Sequence, residues 1–198
     1  RDLDALQAGA WPLSAQPLWL QALEVFVLGD LVGYWVHRAF HSARLWRFHA
    51  IHHSPRTLDW LSTFRQHPVN EVVAGLMQGA PFVLLGFDLT VVGLYIPFLT
   101  LYALSLHANV SWGFGPLGDW LASHAWHRWH HSRQPEAIDM NYAPVLVFWD
   151  RLFGTYYWPK HLQAFNLGIV ADDVPPGFLA QVAYPFRRRK VAEAAAAA

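Results

Sequence analysis

Histidine supplies 12 of the 198 residues, and eight of those copies fall into three short motifs. HRAFH sets His37 and His41 four positions apart. HAIHH gives His49, His52 and His53, and HRWHH gives His127, His130 and His131. Residues at i, i+3 and i+4 lie on one face of a helix, so each motif aims its imidazoles in a single direction. Neutral imidazole is a ligand for iron, zinc or copper. Eight convergent imidazoles exceed what one ion can hold, so the pattern predicts two metal ions. H-x-x-H-H occurs twice, far above what this histidine content gives by chance.

Other residues are candidates by their setting. His107 ends a long apolar stretch at the depth of the motifs and is a candidate ninth ligand. His124 shares a helix face with His127 and His131 and could touch the same site. His67, directly before Pro68, is a candidate ligand or a group that orients one, whereas His161 reads as a surface residue. Ligating histidines commonly donate their second N–H to a carboxylate or carbonyl. Asp30 and Tyr34 share a helix face with His37, and a carboxylate in an apolar segment needs a partner, which His37 would supply. Asp150 is a similar candidate, or else a salt-bridge partner of Arg151 or a neighbouring arginine. Asn141 is placed to satisfy backbone groups in its loop. Trp126 and Trp129 interleave the last motif as pocket walls or, for at least one of them, as an anchor at a membrane interface.

Apolar helices must position these groups. Residues 17–36 carry only Glu24 and Asp30 as charges. Helix of that length covers about 30 Å, roughly one bilayer core. Residues 72–106 carry only Asp88, and Gly86-Phe87-Asp88 divides them into two pieces that are short for a full span. A hairpin dipping into the membrane and two crossings both suit that length, and both suit it better than a buried pair in a soluble protein. A hairpin leaves and returns on one side, so both histidine blocks meet at one face. Arg38, Arg44, Arg47, Arg56, Arg65, Arg128, Arg133 and Arg151 lie on that face, and the run Arg187-Arg188-Arg189-Lys190 joins them. By the positive-inside tendency the face is cytoplasmic.

The predicted fold is therefore all-α: an integral membrane helical bundle with a histidine-rich dimetal site on its cytosolic side. Residues 143–153 read as a further helix ended by Gly154, and 178–186 as a short amphipathic piece on the membrane surface. A single domain accounts for residues 1–198, with 187–198 as a tail. The chain opens at Arg1 and shows no signal peptide, so a truncation that removed earlier membrane segments is expected.

Composition excludes several chemistries. Cysteine is absent, which removes disulfides, thiolate zinc sites, iron–sulfur clusters and thiol nucleophiles. Net charge is zero, so nothing points to nucleic acid as a partner. There is no Glu-x-x-His motif of the carboxylate-bridged type, no H-E-x-x-H and no glycine-rich dinucleotide loop. With no electron carrier in the chain, reducing equivalents must come from a partner.

HRAFHSARLWRFHAIHHS, FRQHPVNE, LHANV and HRWHHSRQPEAIDMNYAPVLVFWDRLFGTYYWP, in that order, resemble the fatty acid hydroxylase / sterol desaturase superfamily. The likeness covers residues 28–186 and looks nearest to the bacterial sterol-desaturase-like and alkylglycerol monooxygenase branches. It implies a membrane enzyme, here of a bacterial inner membrane, that uses O2 and two electrons to hydroxylate or desaturate a fatty acyl, sterol-like or alkyl ether lipid. Two iron ions would be the working metals, with zinc possible in isolated protein, and the donor would be external, of cytochrome b5, ferredoxin or pterin type. The family's ligand positions match His37, His41, His49, His52, His53, His107, His127, His130 and His131, with His67 matching a recurrent histidine. Three other classes compete: a histidine-rich membrane metal-binding or transport protein, a lipid-binding pseudoenzyme, and a zinc hydrolase, for which the sequence offers no clear base or nucleophile.

Overall fold

A computed structural model describes residues 12–171 and 173–187, and all its regular elements are helical. Three long helices form the frame. Helix α1 spans Leu18–Phe40. After the short α2, Trp46–His53, the chain makes a 3-10 turn at Trp60–Phe64 and enters α3, Pro68–Leu84, and α4, Leu89–His107. Two shorter helices follow, α5 at His124–His130 and α6 at Phe148–Leu152, and then α7 at Phe178–Ala183. Arg188, Arg189, Lys190 and the alanine-rich end, all assigned above to a tail, lie outside the described residues.

The hairpin forms where the sequence breaks. Gly86 takes φ +81°, a left-handed conformation that costs glycine little, and the Asp88 side chain caps α4 by accepting the Thr90 N–H. Gln21 near the start of α1 accepts the Asp88 N–H at 2.8 Å, fixing the turn against that end. Phe82, Phe87, Val91, Val92 and Tyr95 pack there with Val25. The opposite ends of α1, α3 and α4 therefore come together, and they are the ends that carry the histidines. Gly29 lets α4 approach: a Cβ there would stand 2.5 Å from the Tyr95 ring.

Helices α1 and α4 are each long and apolar enough to cross a membrane. Trp19 on α1, Val72, Leu76 and Leu84 on α3, and Leu94 and Leu101 on α4 present exposed apolar side chains.

Two sequence expectations are corrected. Trp126 and Trp129 are both fully buried, so neither anchors at an interface; Trp126 packs with Tyr34, Leu106 and Trp149, and Trp129 lies edge-on to Tyr157. Residues 143–147 are not helical; only Phe148–Leu152 is, and Gly154 at φ +72° ends it. The reason is a competing acceptor. Asp30 of α1 takes the backbone N–H groups of Val145 and Leu146, each at 2.8 Å, together with Trp149 Nε1 at 3.1 Å.

Candidate metal centre

The described residues contain two sets of convergent histidines. His37, His41, His49, His53 and His130 form one, and His52, His107, His127 and His131 the other; within each set the available ring nitrogens lie within 4.8 Å of one another. All nine positions singled out by spacing and resemblance are thus gathered. Two of the three motifs are split between the sets: His52 and His53 are neighbours in sequence and part company, as do His130 and His131.

The protein fixes which nitrogen faces inward. Backbone carbonyls accept from Nδ1 of His37 (Tyr142 O, 2.8 Å), His130 (Met140 O, 2.8 Å) and His107 (Ala103 O, 2.8 Å). Side-chain oxygens do the same for His41 (Asp139, 3.0 Å) and His49 (Asn70, 3.0 Å). An oxygen acceptor places the proton on Nδ1 and leaves Nε2 with a bare lone pair. Nε2 of His41, His49, His53 and His130 is buried without a protein partner.

The four-histidine set makes the same point more sharply. His107 Nε2 stands 3.1 Å from His52 Nε2, 3.1 Å from His127 Nε2 and 3.2 Å from His131 Nε2, while His131 and His127 are 3.2 Å apart. One lone pair can accept from one donor, so hydrogen bonds cannot satisfy this set. A cation can: imidazole nitrogens at about 2.0–2.1 Å from an ion stand about 3 Å from each other. The donors present fit a metal in both sets.

Electrostatics agree. Burial, reinforced by the neighbouring imidazoles, holds His41, His49, His52, His53, His127, His130 and His131 well below the usual histidine range. At neutral pH these rings are uncharged, the form that ligates.

The supporting carboxylates work through backbone. Asp150 accepts from Tyr142 N at 2.7 Å, Ala143 N at 2.8 Å and Thr155 Oγ1 at 2.7 Å. Burial pushes its carboxyl up to about 6, against the pull of those donors. It makes no salt bridge with Arg151, which pairs with exposed Asp119. Asp30 does not reach His37 either, since its oxygens are spent on residues 145–149, and Tyr34 bonds Thr155 Oγ1 at 2.9 Å rather than a histidine. Asn141, at φ +66°, behaves as expected: Nδ2 donates to the carbonyls of Trp126 and Tyr157, and Oδ1 accepts Tyr157 N.

His67 is not in either set. Its Nδ1 caps α3 by accepting Val69 N at 3.0 Å, and its Nε2 donates to Val182 O at 3.0 Å, so both nitrogens are used. His124 also stands apart, packed against Trp112 and Phe114, and His161 is exposed. Sequence reasoning overlooked Asn70 and Asp139, which hold His49 and His41. Asn70 follows the His67-Pro68 helix start and Asp139 sits in a left-handed turn, φ +58°, and neither spacing reveals the partner.

Two cavities meet the histidines from different sides. The first, about 340 Å³, runs between α1, α3 and α4 and is walled by apolar residues such as Val36, Ile96 and Leu99, with Gln66, Glu71 and Gln78 among its polar groups. It reaches His37 and His49 of the five-histidine set and His52, His107 and His127 of the other. The second, about 520 Å³, lies on the loop side and reaches His41, His53 and His130.

The sequence model of the fatty acid hydroxylase family matches residues 22–155. The chain is 36% identical over 181 residues to an ornithine lipid hydroxylase of Rhizobium tropici, covering 90% of this chain and 54% of that protein. It is 37% identical over 144 residues to an alkylglycerol monooxygenase of Danio rerio, covering 72% of this chain and 31% of that one. A very-long-chain aldehyde decarbonylase of Oryza sativa subsp. japonica is 30% identical over 139 residues, 68% of this chain and 52% of its own. The chain thus spans about half the length, or less, of these relatives. No solved structure matches it.

Proposed function

The chain belongs to the fatty acid hydroxylase family, and from that premise we propose that it carries the catalytic core of a membrane-embedded lipid oxygenase with one metal ion in each histidine set. The observation that carries the reading is the meeting of two buried sets of imidazole lone pairs with one end of an apolar cavity. His37, His41, His49, His53 and His130 would hold one ion, and His52, His107, His127 and His131 the other. Iron fits best with the family's oxidations, although imidazole alone would also accept zinc. When bound, two iron ions supply reductive activation of O2 toward an unactivated C–H bond.

The protein's own residues bind, orient and exclude water. Val36, Ile96 and Leu99 line a slot suited to an alkyl chain, and the chain's reacting carbon would lie beside His37, His52, His107 and His127. Gln66, Glu71 and Gln78 offer polar contacts at the wall of that slot, suited to the amide or ester of a headgroup-bearing lipid, the class named for the Rhizobium relative. The carbonyls of Tyr142, Met140 and Ala103, with Asn70 and Asp139, hold five rings in the ligating tautomer. Helices α1 and α4 would lie in the bilayer, with the histidine end toward the cytoplasm, where an external donor delivers two electrons.

Lipid mass profiles of cells with and without the gene test the reading. Gain of one oxygen or loss of two hydrogens in a lipid, abolished by His127→Ala, is expected. Unchanged lipids, with O2 uptake absent from iron-loaded protein given reductant, would sink it.

A further inference from the structure

The two histidine sets differ in which cavities they border. Every histidine of the four-member set that borders a described cavity does so in the apolar slot between the long helices. The loop-side cavity touches none of that set but reaches three of the other five rings. Its wall is mixed, with Arg47, Arg133, Asp139 and Asp173 beside Ile169 and Tyr184, and several of its residues are open to solvent, Val170 and Ala171 among them.

His41 stands at the junction. Four rings of the set have a described Nδ1 partner, and three of these partners are buried or backbone groups: Tyr142 O, Met140 O and Asn70. The His41 partner, Asp139, keeps 60% of its side chain exposed. One ligating ring is therefore tethered to the cavity's wet rim while its neighbours are tethered to the interior.

Resting on the two-ion reading above, we propose that the loop-side cavity is an aqueous port to the five-histidine set. Hydrated divalent cations and other small hydrophilic ligands reach that set through it, whereas among the described residues the four-histidine set borders the apolar slot alone. A hydrated ion pays a desolvation cost in a passage walled mainly by apolar groups, where Glu71 is the one carboxylate among the lining residues; Asp139 and Asp173 lower that cost on the loop side. The two ions therefore exchange with solution at different rates.

The experiment uses the full chain in detergent, loaded with zinc, with excess EDTA as the hydrophilic probe and the zinc remaining followed in time. Two zinc ions per chain, leaving in two phases of one ion each, are expected. Ala43 and Ala171 both line the port from exposed positions, and Ala171→Trp and Ala43→Trp each fill part of it. Each should slow the fast phase about tenfold, which corresponds to about 1.4 kcal/mol of added barrier. Gly75→Phe, which narrows the apolar slot at a position where a Cβ meets nothing, should leave the fast phase unchanged. Melting curves and zinc content establish that each variant is folded and loaded. Two ions leaving together, or a fast phase slowed by Gly75→Phe and not by the tryptophans, would overturn the port while leaving the two-ion reading intact. Fewer than two ions per chain would overturn both.

Discussion

Asp150 and His37 are joined through one peptide group. The Ala143 N–H donates to Asp150 Oδ2 at 2.8 Å, and the carbonyl of the same peptide, that of Tyr142, accepts from His37 Nδ1 at 2.8 Å. A carboxylate pulling on the N–H side makes the carbonyl a better acceptor, so the imidazole is oriented by a buried charge it never touches.

Asp150→Asn tests this link. The amide would aim an NH2 at one of two N–H donors, and we expect a loss of about 1–3 kcal/mol in stability. Metal affinity of the five-histidine set should fall about 10–100-fold, as for other groups that orient ligands. Thermal unfolding and competition with a chelator of known affinity measure the two effects, and an unchanged affinity would remove Asp150 from the site.

The nine gathered histidines were legible because helical spacing and an apolar hairpin are local facts. What Asp30, Asp150 and His67 do was not, because their partners lie 115 or more residues away, at Val145 and Val182, or across a loop whose left-handed residues follow no periodic pattern. Asp30 and His37 do share a helix face, but a side chain chooses among the groups that the tertiary fold brings to it. Trp126 and Trp129 misled for a related reason: tryptophan suits interfaces, and here the α6 region covers Trp126 and Tyr157 covers Trp129.

Replacing single histidines separates the sets. His107→Ala should leave one ion per chain, since it removes the nitrogen central to the four-member set. His67→Ala should keep both ions and loosen α7 instead, because the bond to Val182 is lost. Metal analysis gives the first result, and limited proteolysis near residue 180 reads the second. Loss of an ion in His67→Ala would restore it as a ligand.

Chain-length selectivity should follow the slot. Ala74 lines it from α3, and Ala74→Phe should shift product toward shorter acyl chains while ion content stays at the wild-type value. Product masses from a mixed-lipid assay decide the point; the same chain-length profile in both proteins would place the substrate elsewhere.

Acid should destabilise the metal-free protein. Seven of the clustered histidines are held well below the usual range when folded, whereas unfolded histidine binds a proton near pH 6.5. As pH falls through about 6.5 the unfolded state takes up more protons, so stability is lost at up to about 1.4 kcal/mol per histidine per pH unit. The melting temperature should be nearly level from about pH 8 to 7 and drop steadily toward pH 5. A level profile across the whole range would mean that these rings are hydrated in the metal-free state.

His52 and His53 serve different sets from adjacent positions, as do His130 and His131. One inserted residue in α5 would turn everything beyond it by about 100° and misdirect a nitrogen of each set at once. An insertion or deletion in α5 therefore disturbs both halves together, whereas a substitution such as His107→Ala touches one. A change of register in α5 should cost both ions in the same step.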